Sequence, residues 1–167
     1  MYKRQPLFGQ RVVVTRTRTQ ASQLSRRLLE SGADVLEIPT IRIGPPSKRE
    51  ILIEAMAGLG QYDWLVFTSP NGVTAFFDYF FRAFDDVRML GNIRIAAVGP
   101  ATAAKIAGYH LRVDVMPKKY LASEVAAAIH AFENVGNLKM MLARAEVANP
   151  ELPKELATLG AIVDDIP

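Results

Sequence analysis

Residues 64–72 read Trp-Leu-Val-Phe-Thr-Ser-Pro-Asn-Gly, and this stretch decides the fold. Its first four residues are an unbroken apolar run, which is typical of a strand buried on both faces of a parallel sheet. Ser69 is suited to be a helix N-cap, and Pro70 suits the first position of a helix. Phenylalanines follow at helical spacing from Phe76 onwards. The stretch therefore predicts a buried strand that passes directly into a helix.

Strand and helix patterns alternate in this way along the whole chain. The predicted strands lie at residues 12–14, 35–38, 64–67, 94–98, 112–116, 139–143 and 161–166. This order is typical of doubly wound, mostly parallel sheets, and we predict an α/β protein of flavodoxin-like type. A lone β-α-β unit is too small to bury its own sheet, so the residues before the break at 39–46 need further strands.

The composition excludes several classes of function. The sequence has no cysteine, which excludes disulfides, thiolate metal sites and a cysteine nucleophile. The net charge of +3 comes from dispersed basic residues, a pattern that does not suggest nucleic-acid binding but suits an anionic small molecule. No apolar run is long enough for a membrane span, and residues 1–11 lack the apolar core of a signal peptide. We therefore expect a cytoplasmic protein without a metal, a membrane or a nucleic acid as partner.

Four of the predicted strands end in small polar or basic residues. They offer hydroxyl groups, helix N-terminal amides and two guanidinium groups, all of which bind carboxylates. The candidate binding residues are Arg16, Thr68, Ser69, Asn71, Gly99, Thr102 and Arg144. Each segment alone also fits ordinary helix capping, and each arginine fits a surface salt bridge. Because parallel strands end at one edge of a sheet, the four segments together predict a ligand-binding edge.

The sequence shows no arrangement of nucleophile, base and orienting group, and neither glycine-rich phosphate-loop pattern occurs. The two histidines, His110 and His130, lack metal-ligand spacing. An enzyme with this sequence would act by binding and electrostatics, and no catalytic residue is assigned. Two function classes remain open: an enzyme with an anionic substrate, and a non-catalytic α/β module that binds a small molecule or a protein.

Five short motifs extend over nearly the whole chain. They are Val-Val-Val-Thr-Arg at 12–16, Gly-Ala-Asp-Val-Leu-Glu-Ile-Pro-Thr at 32–40, Tyr-Asp-Trp-Leu-Val-Phe-Thr-Ser-Pro-Asn-Gly-Val at 62–73, Ile-Ala-Ala-Val-Gly-Pro-Ala-Thr at 95–102 and Leu-Arg-Val-Asp-Val at 111–115. Their order and spacing resemble the uroporphyrinogen-III synthases, a cofactor-free family of tetrapyrrole and haem biosynthesis. Residues 6–13 also resemble the junction in proteins where this synthase follows a uroporphyrinogen methyltransferase.

The resemblance implies a reaction, a cyclisation of the linear tetrapyrrole hydroxymethylbilane to uroporphyrinogen III with inversion of ring D and loss of water. It also implies two flavodoxin-like domains joined by a two-stranded linker, with the site in the cleft between them. Residues 1–38 would be the incomplete part of a discontinuous first domain and 39–46 the linker. Residues 47–161 would be the complete second domain and 162–167 the start of the return linker.

A tyrosine and a threonine that are associated with the site in this family would lie beyond residue 167. The resemblance therefore implies that these 167 residues are inactive on their own. It also implies self-association or swapping, because the first domain lacks most of its sheet.

Overall fold

The computed structural model describes residues 5–44, 49–146 and 148–166, without the side chains of residues 18–22. The chain divides into two compact units between residues 45 and 46. These two residues, which end the predicted linker, lie outside the described ranges. Both units contain parallel strands connected by helices, which confirms the predicted α/β class.

The first unit is a single β-α-β motif. Strands β1 (Arg11–Val14) and β2 (Asp34–Glu37) pair in parallel, and helix α1 (Arg18–Glu30) connects them. Val13 and Leu36 remain about half exposed, at 51% and 47%. The unit thus leaves apolar strand surface uncovered, as expected for a sheet of two strands.

The second unit contains a four-stranded parallel sheet with the order β4-β3-β5-β6. Its strands are β3 (Trp64–Phe67), β4 (Arg94–Ala97), β5 (Lys139–Ala143) and β6 (Ile162–Ile166). Its helices are α2 (Arg49–Ala57), α3 (Pro70–Ala83), α4 (Pro100–Ala107), α5 (Ala122–Phe132) and α6 (Glu151–Thr158). Two short 3-10 helices, Leu59–Gln61 and Val87–Leu90, precede β3 and β4.

β3 is completely buried, with no exposed surface on any of its four side chains. Successive side chains of a strand point to opposite faces of the sheet. Leu65 and Phe67 accordingly belong to one apolar cluster, together with phenylalanines of α3, whereas Trp64 and Val66 belong to a second cluster. The unbroken apolar run is therefore a strand that is covered on both faces, as its sequence predicts.

Residues 112–116, predicted as a strand, form only one parallel bridge, between Val115 and Ala96. The carboxylate of Asp114 accepts the backbone N–H of Ile95 at 2.7 Å. The side chain of Asp114 thus accepts a backbone N–H that would otherwise be available to bond the backbone of a neighbouring strand. The strand prediction is wrong except at this bridge.

Side-chain contacts fasten β6 to the rest of the second sheet. Tyr62 Oη donates to Asp164 Oδ2 at 2.6 Å, and Lys139 Nζ lies 3.4 Å from the same oxygen. Burial raises the pKa of the Tyr62 hydroxyl, and the bond to Asp164 raises it further. Residues 162–166, for which a return linker is predicted, pair with β5 along their whole length.

Candidate functional site

The carboxyl ends of three strands lie side by side in the second unit. Phe67, the last residue of β3, pairs with Ala97 of β4 and with Ala143 of β5. Thr68 and Arg144 follow directly on adjacent strands. The chain runs from β3 to β4 on one side and later returns to β5 on the other, so this is the point where the strand order switches. Open α/β sheets bind ligands at such a point.

The amino end of α3 lies at this switch point. Ser69 is the N-cap, its Oγ accepts the N–H of Gly72 at 3.0 Å, and Pro70 occupies the first turn. The predicted cap is therefore confirmed. A serine hydroxyl can accept and donate at once, so Ser69 retains a proton to donate to a carboxylate. Asn71 is exposed beside it, while Thr68 and Ser69 are half-buried.

Gly72 also lies at this switch point, although it is not among the binding residues predicted from the sequence. A Cβ atom at Gly72 would lie 3.0 Å from the carbonyl oxygen of Ala143 and 3.4 Å from Ser69 Oγ. The absence of a side chain at residue 72 therefore allows the close approach of helix α3 to the end of β5. In the sequence, only the glycine itself could have indicated this close approach, because Gly72 and Ala143 are far apart along the chain.

The amino end of α4 forms the neighbouring part of the edge. Gly99 is the N-cap residue, without a side-chain capping bond, and Pro100 follows in the first turn. Thr102 is 2% exposed, so its hydroxyl is far less accessible than that of Thr68. Gly99 therefore offers backbone groups to the edge, whereas a ligand role for Thr102 stays a prediction.

The first turns of α3 and α4 contain no acidic residue. The first turns of α2, α5 and α6 contain Glu50, Glu124 and Glu151 respectively. An acidic side chain at this position offsets the partial positive charge of the helix end. Within the second unit, the two helices that begin at the ends of β3 and β4 are those that keep this charge available for an anion.

Arg144 stands at the end of β5, and its guanidinium group is already paired. Its Nε donates to Asp165 Oδ1 at 2.6 Å, its Nη2 donates to Asp165 Oδ2, and its Nη1 donates to the carbonyl oxygen of Asn149 at 2.6 Å. The bond to Asp165 raises the pKa of Arg144 above its usual range. An anionic ligand would share or displace Asp165 in order to bind this guanidinium group.

Arg16 belongs to the first unit. It follows β1 at the carboxyl end of that strand and is exposed. The structure thus brings six of the seven predicted residues into the second unit, four of them directly after β3 or β5, and leaves Arg16 in the other unit.

Two further observations concern the described ranges as a whole. They contain no group of three or more histidine, aspartate or glutamate side chains that could hold a metal ion. None of the helices in these ranges is long and apolar enough to cross a membrane.

A parallel sheet with polar residues at its switch point defines a doubly wound α/β protein, whose carboxyl edge is a candidate ligand site. The sequence model of one family, described as uroporphyrinogen-III synthase HemD, matches residues 22–167. The chain belongs to the uroporphyrinogen-III synthase family.

Individual relatives agree with this assignment. The uroporphyrinogen-III synthase of Synechococcus elongatus is 32% identical over 167 residues, covering 98% of this chain and 61% of that protein. The porphyrin biosynthesis protein HemD of Ruminiclostridium josui is 31% identical over 99% of this chain and 33% of its own length. The chain thus spans between about a third and three fifths of these relatives.

A solved structure confirms the fold. A mutant uroporphyrinogen III synthase from the extremely thermophilic bacterium Thermus thermophilus matches with a TM-score of 0.71 at 17% identity, covering 95% of this chain and 61% of that one. The family match supports the predicted synthase and not the alternative of a non-catalytic binding module.

Proposed function

We propose that the chain binds hydroxymethylbilane and forms one wall of a uroporphyrinogen-III synthase site, that of a lyase in porphyrin and haem biosynthesis. The observation that carries the proposal is the edge at the ends of β3 and β4, where two helices begin without an acidic residue in their first turns. The substrate is a linear tetrapyrrole with eight carboxylates. Helix amides and hydroxyls without a competing acid suit these carboxylates.

The positions of the residues support the following proposed roles. Thr68, Ser69 and Asn71 donate hydroxyl or amide hydrogens to carboxylates, and the backbone at Gly99 does so at the neighbouring strand. Loss of the terminal hydroxyl of the substrate gives a reactive azafulvene, and closure proceeds through a spiro-pyrrolenine. Such intermediates need orientation and charge stabilisation more than a strong acid or base. This accords with the absence of an assigned catalytic residue.

Arg144 and Arg16 complete the proposal as two sources of positive charge. Arg144 acts from the second unit by exchanging Asp165 for a substrate carboxylate, and Arg16 is a further candidate for carboxylate binding in the first unit. Thr102 would support the first turn of α4 from its buried position. No cofactor is required, and the proposal includes the cytoplasmic location that we expect from the sequence.

The test uses a chimaera, since the chain covers 61% of the Synechococcus elongatus synthase. This chain is joined to the part of that synthase which it does not match, and the chimaera is incubated with hydroxymethylbilane. We expect uroporphyrinogen III as the main product by chromatography of the oxidised isomers, and we expect the 167 residues alone to give only the spontaneous type I isomer. A chimaera that folds cooperatively and yields only type I would overturn the proposal.

Variants of the same chimaera test Arg144. Because charge-assisted bidentate pairs are strong, Arg144→Ala is expected to raise KM about tenfold. Asp165→Asn, which removes the negative charge that now pairs with the guanidinium group, is the matched variant and is expected not to raise KM. If Arg144→Ala lowers the melting temperature and leaves KM unchanged, Arg144 has only a structural salt bridge.

We also propose self-association through the first unit. Val13 and Leu36 on the paired strands are half exposed, and Leu29 of α1 is 56% exposed. Apolar surface of this kind favours contact with another molecule. Sedimentation of the 167-residue chain should show a dimer that Leu36→Asp shifts to the monomer. A wild-type chain that remains monomeric at high concentration would contradict this proposal.

A further inference from the structure

The segment 116–121, Met-Pro-Lys-Lys-Tyr-Leu, lies beside the proposed site but carries none of the predicted binding residues. Val115 forms the bridge to Ala96 of β4, so the segment leaves the sheet at the carboxyl end of that strand. Tyr120 then packs against Gly99: a Cβ atom at Gly99 would lie 3.3 Å from Tyr120 Cβ and 3.5 Å from its Cγ. The Tyr120 side chain thus starts next to the amino end of α4.

Tyr120 is an exposed aromatic residue. Its exposure is 58%, and within the same segment Leu121 is 56% and Met116 is 41% exposed. By contrast, the tryptophan of β3 and three phenylalanines of α3 are 2% exposed or less. Three large apolar side chains therefore face solvent within one short segment next to helix amides that suit carboxylates.

The chemistry of the proposed substrate explains this combination. A tetrapyrrole has apolar pyrrole faces and carboxylate arms, and helix amides bind only the carboxylate arms. A site that also orients the rings needs an apolar surface beside its polar groups, as small-molecule sites generally have. Tyr120 provides an aromatic face at the required place, since the first atoms of its side chain lie next to Gly99.

We propose that Tyr120 is a further substrate-binding residue, whose ring packs against a pyrrole ring of the tetrapyrrole while the amino end of α4 binds a carboxylate arm. This inference rests on the proposed function and adds to it the element that recognises the rings. Tyr120 takes no part in bond making or breaking. Its contribution is affinity and orientation, so that a polycarboxylate without aromatic rings gains nothing from it.

The test titrates the 167-residue chain with uroporphyrin III, the stable oxidised form of the product, and follows the porphyrin fluorescence. Tyr120→Ala is expected to weaken binding about five- to tenfold, as the loss of one aromatic contact predicts. Tyr120→Phe, which keeps the ring, should bind within about twofold of wild type. Because the lost contact is apolar, the ratio of the affinities of Tyr120→Ala and wild type should not change between about 0.05 M and about 0.5 M salt.

Met89→Ala is the matched control. Met89 is 55% exposed, and it lies in the 3-10 helix that precedes β4, towards the opposite end of that strand. The Met89→Ala variant should bind uroporphyrin III with wild-type affinity. All variants should keep the wild-type melting temperature within a few degrees.

The outcomes separate this inference from the proposed function. Equal affinity of wild type and Tyr120→Ala for uroporphyrin III overturns this inference and leaves the proposed function standing. The same holds if the loss of affinity in Tyr120→Ala disappears at high salt, or if Met89→Ala loses as much affinity. A folded wild-type chain that binds no uroporphyrin III contradicts the proposed function, and this inference with it.

Discussion

Replacing Glu133 by alanine is expected to lower the free energy of unfolding by about 2–4 kcal/mol. Glu133 follows α5 at its carboxyl end, and its Oε1 accepts the indole N–H of Trp64 at 2.7 Å. Trp64 is the first residue of β3 and is completely buried. Without Glu133 its N–H would remain buried with no acceptor.

Arg94 shares the same acceptor and adds a smaller contribution. Its Nη1 donates to Glu133 Oε1, and its guanidinium carbon lies 5.9 Å from the centre of the Trp64 ring. The Arg94 side chain is 43% exposed, so solvent screens the ion pair. The bond to the buried indole should therefore account for most of the loss in Glu133→Ala.

Urea denaturation of three variants checks this assignment. Glu133→Gln keeps an acceptor oxygen for Trp64 and is expected to lose less than half as much stability as Glu133→Ala. Glu124→Ala is the matched control, because it removes only the pair with Lys119 at 3.7 Å and a favourable charge in the first turn of α5, and it should change stability by less than about 1 kcal/mol. The interpretation fails if Glu133→Ala and Glu124→Ala behave alike.

A double-mutant cycle isolates the indole bond. In the Trp64→Phe background the donor is gone, so Glu133→Ala should cost at least about 1 kcal/mol less than it does in wild type. An unchanged cost would show that Glu133 stabilises the protein through Arg94 instead.

The sequence predicted the strands that are buried on both faces with high accuracy. β3 and β5 have the predicted limits, 64–67 and 139–143, because an unbroken apolar run has no other stable place in a parallel sheet. The helix after β3 was equally clear, since a capping serine and a proline precede its apolar face. Local residues determine both features.

The predictions failed where a distant side chain decides the structure. Asp114 replaces part of a ladder that its apolar neighbours predicted. The pairs of Glu133 with Trp64 and of Asp165 with Arg144 join residues 69 and 21 positions apart, and nothing in the local sequence specifies them. The same applies to Tyr120, because its position beside Gly99 follows from the bridge of Val115 to β4.

Replacing Gly72 by valine is expected to lower the free energy of unfolding by about 3 kcal/mol and to weaken uroporphyrin III binding more than about tenfold. A Cβ atom at this position would lie 3.0 Å from the backbone oxygen of Ala143. Even close C–H···O contacts have a carbon–oxygen distance of about 3.3 Å or more. The opposing atom belongs to the backbone of β5, so it moves only if the helix or the strand moves.

Gly72→Ala should also lower the free energy of unfolding and weaken uroporphyrin III binding, but by less than Gly72→Val. Alanine gains up to about 1 kcal/mol in helix propensity over glycine, which offsets part of a steric cost of about 1–3 kcal/mol. We expect a net loss of about 1–2 kcal/mol, measured by urea denaturation. Gly60→Ala is the matched control in the second unit, because a Cβ atom there meets no atom within 4 Å and its stability should not fall.

The binding measurement decides whether this close approach matters for function as well as stability. Ser69 Oγ would lie 3.4 Å from the new Cβ atom, so the substitution disturbs the cap of α3 together with the end of β5. Both flank the switch point, and a shift of either separates the hydroxyls and amides that we expect to bind one carboxylate arm. Gly72→Ala should therefore weaken binding of uroporphyrin III at temperatures where the variant is fully folded. Wild-type affinity in the folded variant would show that the ligand binds elsewhere on the chain, and wild-type stability would show that α3 can move away from β5 without cost.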